Sequence, residues 1–205
     1  MLIGLCGYKR SGKDTTADYL CGQLDFQRRA LMGPLKEGLQ KMFGFTYDQM
    51  YNDEKDIVDS RYGVTPREFM LFYGKLGRGA LSEVIDSFSK RKNEHWLLLF
   101  EEWYKAQIEK DSMFKPIRGD SFAKVVVTDI RFPYEANFIR NLGGIIVRVF
   151  RKDQINKSND DTETNVDNIV YDYKVINIFD ENNPELAITE FNTRISSMMT
   201  LIANR

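Results

Sequence analysis

The sequence predicts an α/β fold with a parallel sheet of about five strands and helices on both faces. Three observations support this prediction. Short apolar runs alternate with helix-like segments at both ends of the chain, as they do in consecutive strand–helix–strand units. Residues 124–128, KVVVT, form a β-branched run typical of a strand that is buried on both faces. A glycine-bounded loop joins the first strand to the first helix, which is the usual junction of a phosphate-binding sheet.

Three of the predicted strands, at 2–6, 124–128 and 145–150, are largely apolar runs, and the other two are more polar short segments. The predicted helices show the wider apolar spacing of a helix face. The predicted strands are 2–6, 26–32, 124–128, 145–150 and 174–178. The predicted helices are 13–23, 34 to about 43, a segment from 66, 81–89, 94–110, 132–142 and a C-terminal helix from 184.

The middle of the chain gives weaker signals. Residues 45–59 have no clear period and predict a loop, and residues 110–123 predict a connector that contains Pro116. Glycines at 74, 77 and 79 predict a break in the helix from residue 66, although its apolar positions are spaced for one buried face. Those apolar positions are Phe69, Leu71, Phe72 and Leu76.

These elements predict a single domain over residues 1–205. A mostly helical insertion at about 45–115 is expected over the carboxyl ends of the strands, where such sheets bind ligands. The polar stretch 152–165 is expected to form a short lid loop over a ligand bound there.

Composition excludes several classes of function. The chain is 42% hydrophobic and 29% charged with a net charge of −1, which is ordinary globular composition and gives no basic surface for duplex nucleic acid. His95 is the only histidine, so histidine-based metal sites and Ser-His catalysis are not expected. Two cysteines, no signal peptide and no long apolar stretch predict a cytoplasmic protein without membrane or nucleic-acid-polymer partners.

The strongest motif is the loop of residues 7–13, in which Gly7 and Gly12 bracket the turn and Lys13 follows. Loop N–H groups and the positive end of the next helix attract phosphates, and the lysine reaches the β/γ oxygens. Asp14 stands where the strict motif has Ser or Thr, so Asp14 or Thr15 is expected to serve magnesium. The structural alternative is a tight turn with Asp14 capping the helix.

A second motif, TDIRFPYE, lies where a buried strand meets a helix. Asp129 at the carboxyl end of the strand could hold magnesium, and Arg131 could grip a phosphate through two parallel hydrogen bonds. The alternative is that Asp129 caps the following helix and Arg131 pairs with Glu135 four residues later.

The segments GYKRSGKDTTADYL and VVVTDIRFPYEANFIRNLGG together resemble the deoxynucleoside monophosphate kinases of tailed bacteriophages. The segments GPLKE from residue 33 and TPREF from residue 65, with Trp96, extend the resemblance in discontinuous blocks over most of the chain. The resemblance implies a P-loop kinase fold and transfer of phosphate from ATP, with Mg²⁺, to a deoxynucleoside monophosphate. It also implies the host cytoplasm as location if a phage encodes the chain, and leaves open whether the chain forms a homodimer.

Phosphoryl transfer to an anionic phosphate needs positioning and charge neutralisation more than a general base. The expected catalytic residues are Lys13, Asp14 and Arg131, with Asp14, Thr15 and Asp129 as metal ligands. The expected ATP-binding residues are Gly7, Arg10, Ser11, Gly12, Lys13, Thr15, Thr16 and Arg151. For the acceptor, the resemblance implies Lys36, Arg67, Arg78 and Trp96, alongside Arg131 and Glu135. The alternatives are a dephospho-coenzyme A kinase-like enzyme and a P-loop ATPase or switch with a macromolecular partner.

Overall fold

The computed structural model describes residues 1–84, 94–118, 123–152 and 165–204, with backbone only for 78–84 and 114–118. Its contacts divide the chain into two compact units. The sheet unit comprises Met1–Ala30 and Gln107–Arg205, and the helical unit comprises Leu31–Ala106. The predicted single domain with an insertion at about 45–115 and a lid loop stays a prediction, and residues 153–164 of that loop lie outside the described residues.

All five predicted strands are present and parallel, which confirms the α/β fold class. The sheet order is β2-β3-β1-β4-β5. The strands are β1 Leu2–Cys6, β2 Gln27–Arg29, β3 Val125–Ile130, β4 Ile145–Arg151 and β5 Tyr173–Asn177. The central strand β1 pairs with β3 and β4, and every β1 residue is buried. This explains why the central strands are continuous apolar runs.

The helices are α1 Lys13–Leu24, α2 Gly33–Phe43, α3 Tyr47–Tyr51, α4 Pro66–Val84, α5 His95–Arg118, α6 Pro133–Asn141 and α7 Pro184–Ala203, with 3₁₀ turns at Asp53–Asp56 and Asn165–Asn168. In the sheet unit, Ala17 and Leu20 of α1 and Phe191 and Ile195 of α7 pack with the strands in one apolar cluster. Burial of such aliphatic and aromatic side chains is the main stabilising contribution to the unit.

The helical unit has its own apolar cluster, rich in aromatic and large aliphatic side chains. Leu35, Leu39, Phe45, Met50 and Trp96 are its buried members. Phe43 and Phe69 pack beside them with ring centroids 4.8 Å apart. The helical unit is therefore held by side-chain packing between helices, without a sheet among its described residues.

Three sequence predictions for the middle of the chain are wrong. The predicted loop at 45–59 contains α3, whose start is fixed by reciprocal hydrogen bonds between Thr46 and Gln49, a capping box that the sequence carries. Helix α4 runs unbroken through its glycines. A Cβ on Gly77 would lie 2.5 Å from the Trp96 ring, so this glycine permits close packing. Helix α5 continues through Pro116 into the predicted connector.

The predicted apolar face of α4 is only partly buried. Phe69 packs against the aromatic cluster of the helical unit, whereas Leu71, Phe72 and Leu76 are 44%, 62% and 44% exposed. Because α4 is a continuous helix, Leu71 points away from the side that Phe69 and Tyr73 bury, whereas Phe72 and Leu76 lie on or beside that side and are still exposed.

Candidate phosphate-binding site

The candidate site lies at the carboxyl edge of the sheet, where parallel strands bring their following residues together. Residue Gly7 follows β1, Arg131 follows β3, and Arg151 and Asn177 end the paired strands β4 and β5. The sheet thus gathers on one edge the loop of residues 7–13 and the TDIRFPYE segment, which lie more than 100 residues apart in the sequence.

The loop has an irregular backbone that only certain residues allow. Gly7 and Gly12 have φ angles of 148° and 108°, and Arg10 adopts a left-handed φ of 63°. A Cβ on Gly7 would lie 2.4 Å from the Val149 carbonyl oxygen. A side chain at residue 7 would collide with this oxygen and would be strained at the observed φ angle. The shape of the loop therefore requires glycine at this position.

Lys13 is folded back over the loop. Its Nζ donates hydrogen bonds to the carbonyl oxygens of Gly7 at 2.6 Å and of Tyr8 at 2.7 Å. Helix α1 begins at Lys13 with Gly12 as its N-cap. The ammonium group and the positive end of the helix dipole therefore lie beside the same loop, which is favourable for an anionic ligand.

The hydroxyl residues of the loop region differ in accessibility. Ser11 is buried, and its Oγ has no hydrogen-bond partner in the structure. Thr16 is also buried and donates from Oγ1 to the Gly12 carbonyl at 2.9 Å, a bond back to the preceding turn. Thr15 is exposed, so it is the hydroxyl most accessible to a ligand, and its predicted role stays a prediction.

Asp14 forms an ion pair with Arg28 of β2, which also binds Asp18 at 2.9 Å. The side chain of Asp14 is 79% exposed, and the N-cap of α1 has no side-chain hydrogen bond. Asp14 therefore does not cap the helix in this structure. Its carboxylate lies on the solvent side of α1, and its predicted magnesium role stays a prediction.

The TDIRFPYE segment has a defined structural arrangement around Glu135. This buried carboxylate accepts the backbone N–H groups of Arg131 at 2.8 Å and Phe132 at 3.1 Å. It thereby satisfies backbone donors at the start of α6 and fixes the backbone that carries Arg131. Asp129 is half-buried within β3. The predicted magnesium and phosphate roles of Asp129 and Arg131 stay predictions.

Asn177 is a contact of the loop that the sequence analysis did not select as a site residue. Its Nδ2 donates to the Ser11 carbonyl at 3.1 Å, and a Cβ on Gly12 would lie 2.7 Å from the same nitrogen. The available signal was a polar residue at the end of a strand that parallels the first. Arg151, at the end of β4, has its guanidinium 4.7 Å from the Phe179 ring centroid.

Four of the residues predicted to bind the acceptor, Lys36, Arg67, Arg78 and Trp96, lie in the helical unit. Lys36 places Nζ 4.6 Å from the Tyr51 ring centroid, and Arg67 forms an ion pair with Asp56. Trp96 is a core residue, 9% exposed, whose indole nitrogen donates to the Gly74 carbonyl at 3.4 Å. The side chain of Arg78 lies outside the described residues. Acceptor binding by these residues stays a prediction.

The buried thiol of Cys6 in the sheet unit is not a candidate nucleophile. Burial raises the pKa of the Cys6 thiol to about 11, so it remains neutral at physiological pH and is a poor nucleophile. Within the described residues, no group of three or more His, Cys, Asp or Glu side chains could enclose a metal ion.

No helix among the described residues has the length and apolarity that crossing a membrane would require.

Comparison with known proteins points to one family. A family model described as deoxynucleotide monophosphate kinase matches residues 1–63. The chain is 35% identical, over 155 residues, to a protein of Acanthamoeba polyphaga mimivirus provisionally named deoxynucleotide monophosphate kinase; the match covers 74% of each chain. That relative comes from a giant virus and not from a tailed phage, so the similarity is not confined to phage proteins.

Similar solved structures are more distant. Dephospho-CoA kinase from Campylobacter jejuni gives a TM-score of 0.43 at 12% identity, covering 99% of this chain and 97% of that one. Shikimate kinase from Aquifex aeolicus vf5 gives 0.38 at 16% identity, covering 100% and 98%. Both scores are too low to support an argument about this chain.

Proposed function

Since the chain belongs to the deoxynucleotide monophosphate kinase family, we propose that it transfers the γ-phosphoryl group of ATP to a deoxynucleoside 5′-monophosphate. The product is a deoxynucleoside diphosphate that can supply DNA synthesis. The observation that carries the proposal is the loop of residues 7–13, whose glycines, lysine and helix start lie together at the carboxyl edge of the sheet.

The reaction does not need a strong general base. The phosphate of a nucleoside monophosphate has a second pKa of about 6 and is already a dianion near neutral pH. The protein must therefore bring two anions together, stabilise charge on the transferred group and keep water out. The absence of a histidine among the candidate site residues is consistent with this chemistry.

Lys13 and Arg131 of the sheet unit have distinct roles in that scheme. Lys13 exchanges its bonds to the Gly7 and Tyr8 carbonyls for the β- and γ-phosphate oxygens. Arg131, whose backbone is held by Glu135, binds the acceptor phosphate and stabilises its charge during transfer.

Magnesium fits the oxygen donors that the loop region offers. Asp14, Thr15 and Asp129 would hold it, and when bound it would neutralise charge on the β- and γ-phosphates. Asp14 and Thr15 are exposed in α1, and Asp129 is half-buried in β3. These oxygen atoms are the hard ligands that Mg²⁺ prefers, and a phosphate supplies the remainder.

The acceptor nucleotide is assigned to basic residues of the helical unit. Lys36, Arg67 and Arg78 offer positive charge, and Arg67 already binds one carboxylate, Asp56, through two nitrogens. A guanidinium that grips a carboxylate in this way has the geometry for a phosphate as well. The substrates proposed are ATP and a deoxynucleotide, in the cytoplasm of the host cell if a virus encodes the chain.

The test is a substrate screen with ATP and magnesium against each deoxynucleoside monophosphate, each ribonucleoside monophosphate and dephospho-coenzyme A. Formation of deoxynucleoside diphosphates supports the proposal. Preferred phosphorylation of dephospho-coenzyme A, or ATP hydrolysis that is stimulated by DNA and independent of any acceptor, would replace it with another P-loop activity.

Lys13→Ala tests the loop assignment within the same assay. Loss of an ammonium group that stabilises the transferred phosphoryl group should lower turnover by a factor of 100 or more, corresponding to roughly 3 kcal/mol or more of transition-state stabilisation. Lys174→Ala, which removes an exposed lysine from β5, is the matched control and should keep turnover within about twofold. Near wild-type turnover in Lys13→Ala would defeat the phosphate-loop assignment.

A further inference from the structure

The side chain of Tyr8, within the phosphate loop, is anchored by two charged residues far along the chain. Its hydroxyl donates a hydrogen bond to the Asp167 carboxylate. The same carboxylate accepts a hydrogen bond from Arg148 at 2.5 Å. Asp167 belongs to the 3₁₀ turn Asn165–Asn168, and Arg148 lies in β4 opposite Cys6 at the end of β1. None of the three residues has a role in the scheme above.

Arg148 is the fixed member of this network. Only 7% of its side chain is exposed, and its guanidinium carbon lies 5.6 Å from the Tyr8 ring centroid and 4.8 Å from that of Phe150. It also donates to the Val166 carbonyl at 2.9 Å. A buried guanidinium needs a counter-charge, and Asp167 is the carboxylate that the structure places against it. Arg148 therefore holds Asp167 in position.

The charge state of the network is stable near neutral pH. The hydrogen bond from Tyr8, together with that from Arg148, lowers the pKa of Asp167. Burial and the bond to Asp167 raise the pKa of Tyr8. Asp167 is thus an ionised acceptor and Tyr8 a neutral donor, which makes their bond a charge-assisted one.

One of the other anchors of the loop is Lys13, and nucleotide binding would remove it. Lys13 Nζ binds the carbonyl oxygens of Gly7 and Tyr8, but a lysine that turns to phosphate gives up those bonds. The left-handed φ of Arg10 and the positive φ values of Gly7 and Gly12 then need other support. Asn177 supports the loop at the Ser11 carbonyl, and Tyr8 supports it at the other side through its side-chain contacts with Asp167 and Arg148.

We propose that Tyr8, Asp167 and Arg148 are positioning residues that keep the phosphate loop in its nucleotide-binding conformation when Lys13 engages phosphate. The inference rests on the proposed use of the loop for ATP. It assigns no direct ligand contact to these residues. Their effect is expected on ATP affinity, with little effect on the acceptor or on the chemical step.

Tyr8→Phe is the informative variant because it removes one hydroxyl and keeps the ring over Arg148. We expect the Kd for ATP to rise roughly tenfold, the size of one charge-assisted hydrogen bond. The KM for the acceptor and kcat should stay within about twofold. Hydrogen–deuterium exchange of the loop amides, residues 7–13, should become faster in the protein without nucleotide. Tyr171→Phe, whose ring contacts Phe150, is the matched control and should change neither measurement.

Asp167→Asn and the double variant test whether the two residues act through one bond. The ATP affinity of the double variant should match that of the weaker single variant, because the charge-assisted bond between the Tyr8 hydroxyl and the Asp167 carboxylate is lost in both. Independent losses that add in the double variant would overturn the inference. Because Asp167→Asn leaves Arg148 without its counter-charge and could fail to fold, the measurements on Tyr8→Phe decide the question by themselves.

The outcomes separate this inference from the proposed function. A wild-type protein that binds no ATP defeats the proposed function, and the exchange measurement then still decides whether Tyr8 anchors the loop. Unchanged exchange in Tyr8→Phe overturns the inference in either case. Faster exchange with an ATP Kd within twofold of wild type, in a protein that binds ATP, overturns it as well.

Discussion

The two compact units place their candidate nucleotide-binding groups by different means. In the sheet unit the backbone of the phosphate loop is fixed from several sides, with Asn177 holding the Ser11 carbonyl and no room for a side chain at Gly7. In the helical unit the candidate groups are charged side chains at the surface, such as Arg67, which is 37% exposed. We therefore expect the sheet unit to be sensitive to shape and the helical unit to charge.

Packing in the two units accounts for this difference. The sheet unit surrounds its loop with buried aliphatic strands and the α7 side chain Phe191, which lies 3.2 Å from where a Cβ on Gly12 would be. Close-packed interiors tolerate added atoms poorly. The helical unit instead surrounds an aromatic cluster with ion pairs, and Arg61 and Asp59 form one of them at 2.6 Å. The hydrogen bonds from Arg61 hold the pKa of Asp59 well below its usual range.

Gly7→Ala should have the largest effect on stability and ATP binding. A small effect would contradict the expectation that the sheet unit is sensitive to shape. The new Cβ would meet the Val149 carbonyl oxygen at 2.4 Å, and φ is 148°. Steric overlap and backbone strain together should cost about 3 kcal/mol of unfolding free energy, measured by urea denaturation, and ATP binding should be lost. Gly38→Ala is the control from the helical unit. It lies within α2 with nothing inside 4 Å of the added Cβ, so we expect a gain of up to about 1 kcal/mol.

Arg131 sharpens the comparison because it tests whether the sheet unit also depends on a charged side chain. Arg131→Lys keeps the charge but loses the planar fork, so turnover should fall about tenfold or more with an unchanged melting temperature. Glu135→Gln keeps an oxygen that can accept the backbone N–H groups of Arg131 and Phe132, and should lower the unfolding free energy by about 1 kcal/mol. Normal turnover in Arg131→Lys with a lowered melting temperature would leave Arg131 only a structural role.

In both units, features set by neighbouring residues were predictable from the sequence, and features set by distant residues were not. The strands β1, β3 and β4 were predictable because each is a largely apolar run, which is a local signal, whereas β2 and β5 carry a weaker signal of this kind. The strand order was not predictable, since adjacency in the sheet depends on contacts between distant segments. In the helical unit the glycines of α4 were interpreted as a break because their partner, Trp96, is about 20 residues away in the sequence. The Thr46–Gln49 capping box was local and could have been recognised.

The candidate site divides in the same way. Gly7, Gly12 and Lys13 form a local motif, so the sequence indicates both their chemistry and their place between β1 and α1. The groups that support the loop are distant in sequence: Asp167 lies 159 residues from Tyr8, and Asn177 lies 166 residues from Ser11. Besides the polar residue Asn177 at a strand end, the sequence offered one signal in Arg148, a charged residue inside the apolar run IIVRVF. A charge in such a strand indicates a buried partner without saying which residue it is.

Arg67→Gln should give the smallest effect and tests the helical side of the comparison. If Arg67 binds the acceptor phosphate, its loss should raise the KM for the deoxynucleotide about three- to tenfold while kcat for saturated enzyme changes little, because the lost interaction is one of binding. Asp56→Asn is the matched control, since it removes the carboxylate paired with Arg67 and leaves the guanidinium in place. A surface ion pair contributes about 0–1 kcal/mol, so Asp56→Asn should lower the melting temperature slightly and leave the KM within twofold. Equal KM increases in both variants would mean that Arg67 acts through its ion pair, and the helical unit would then depend on shape as the sheet unit does.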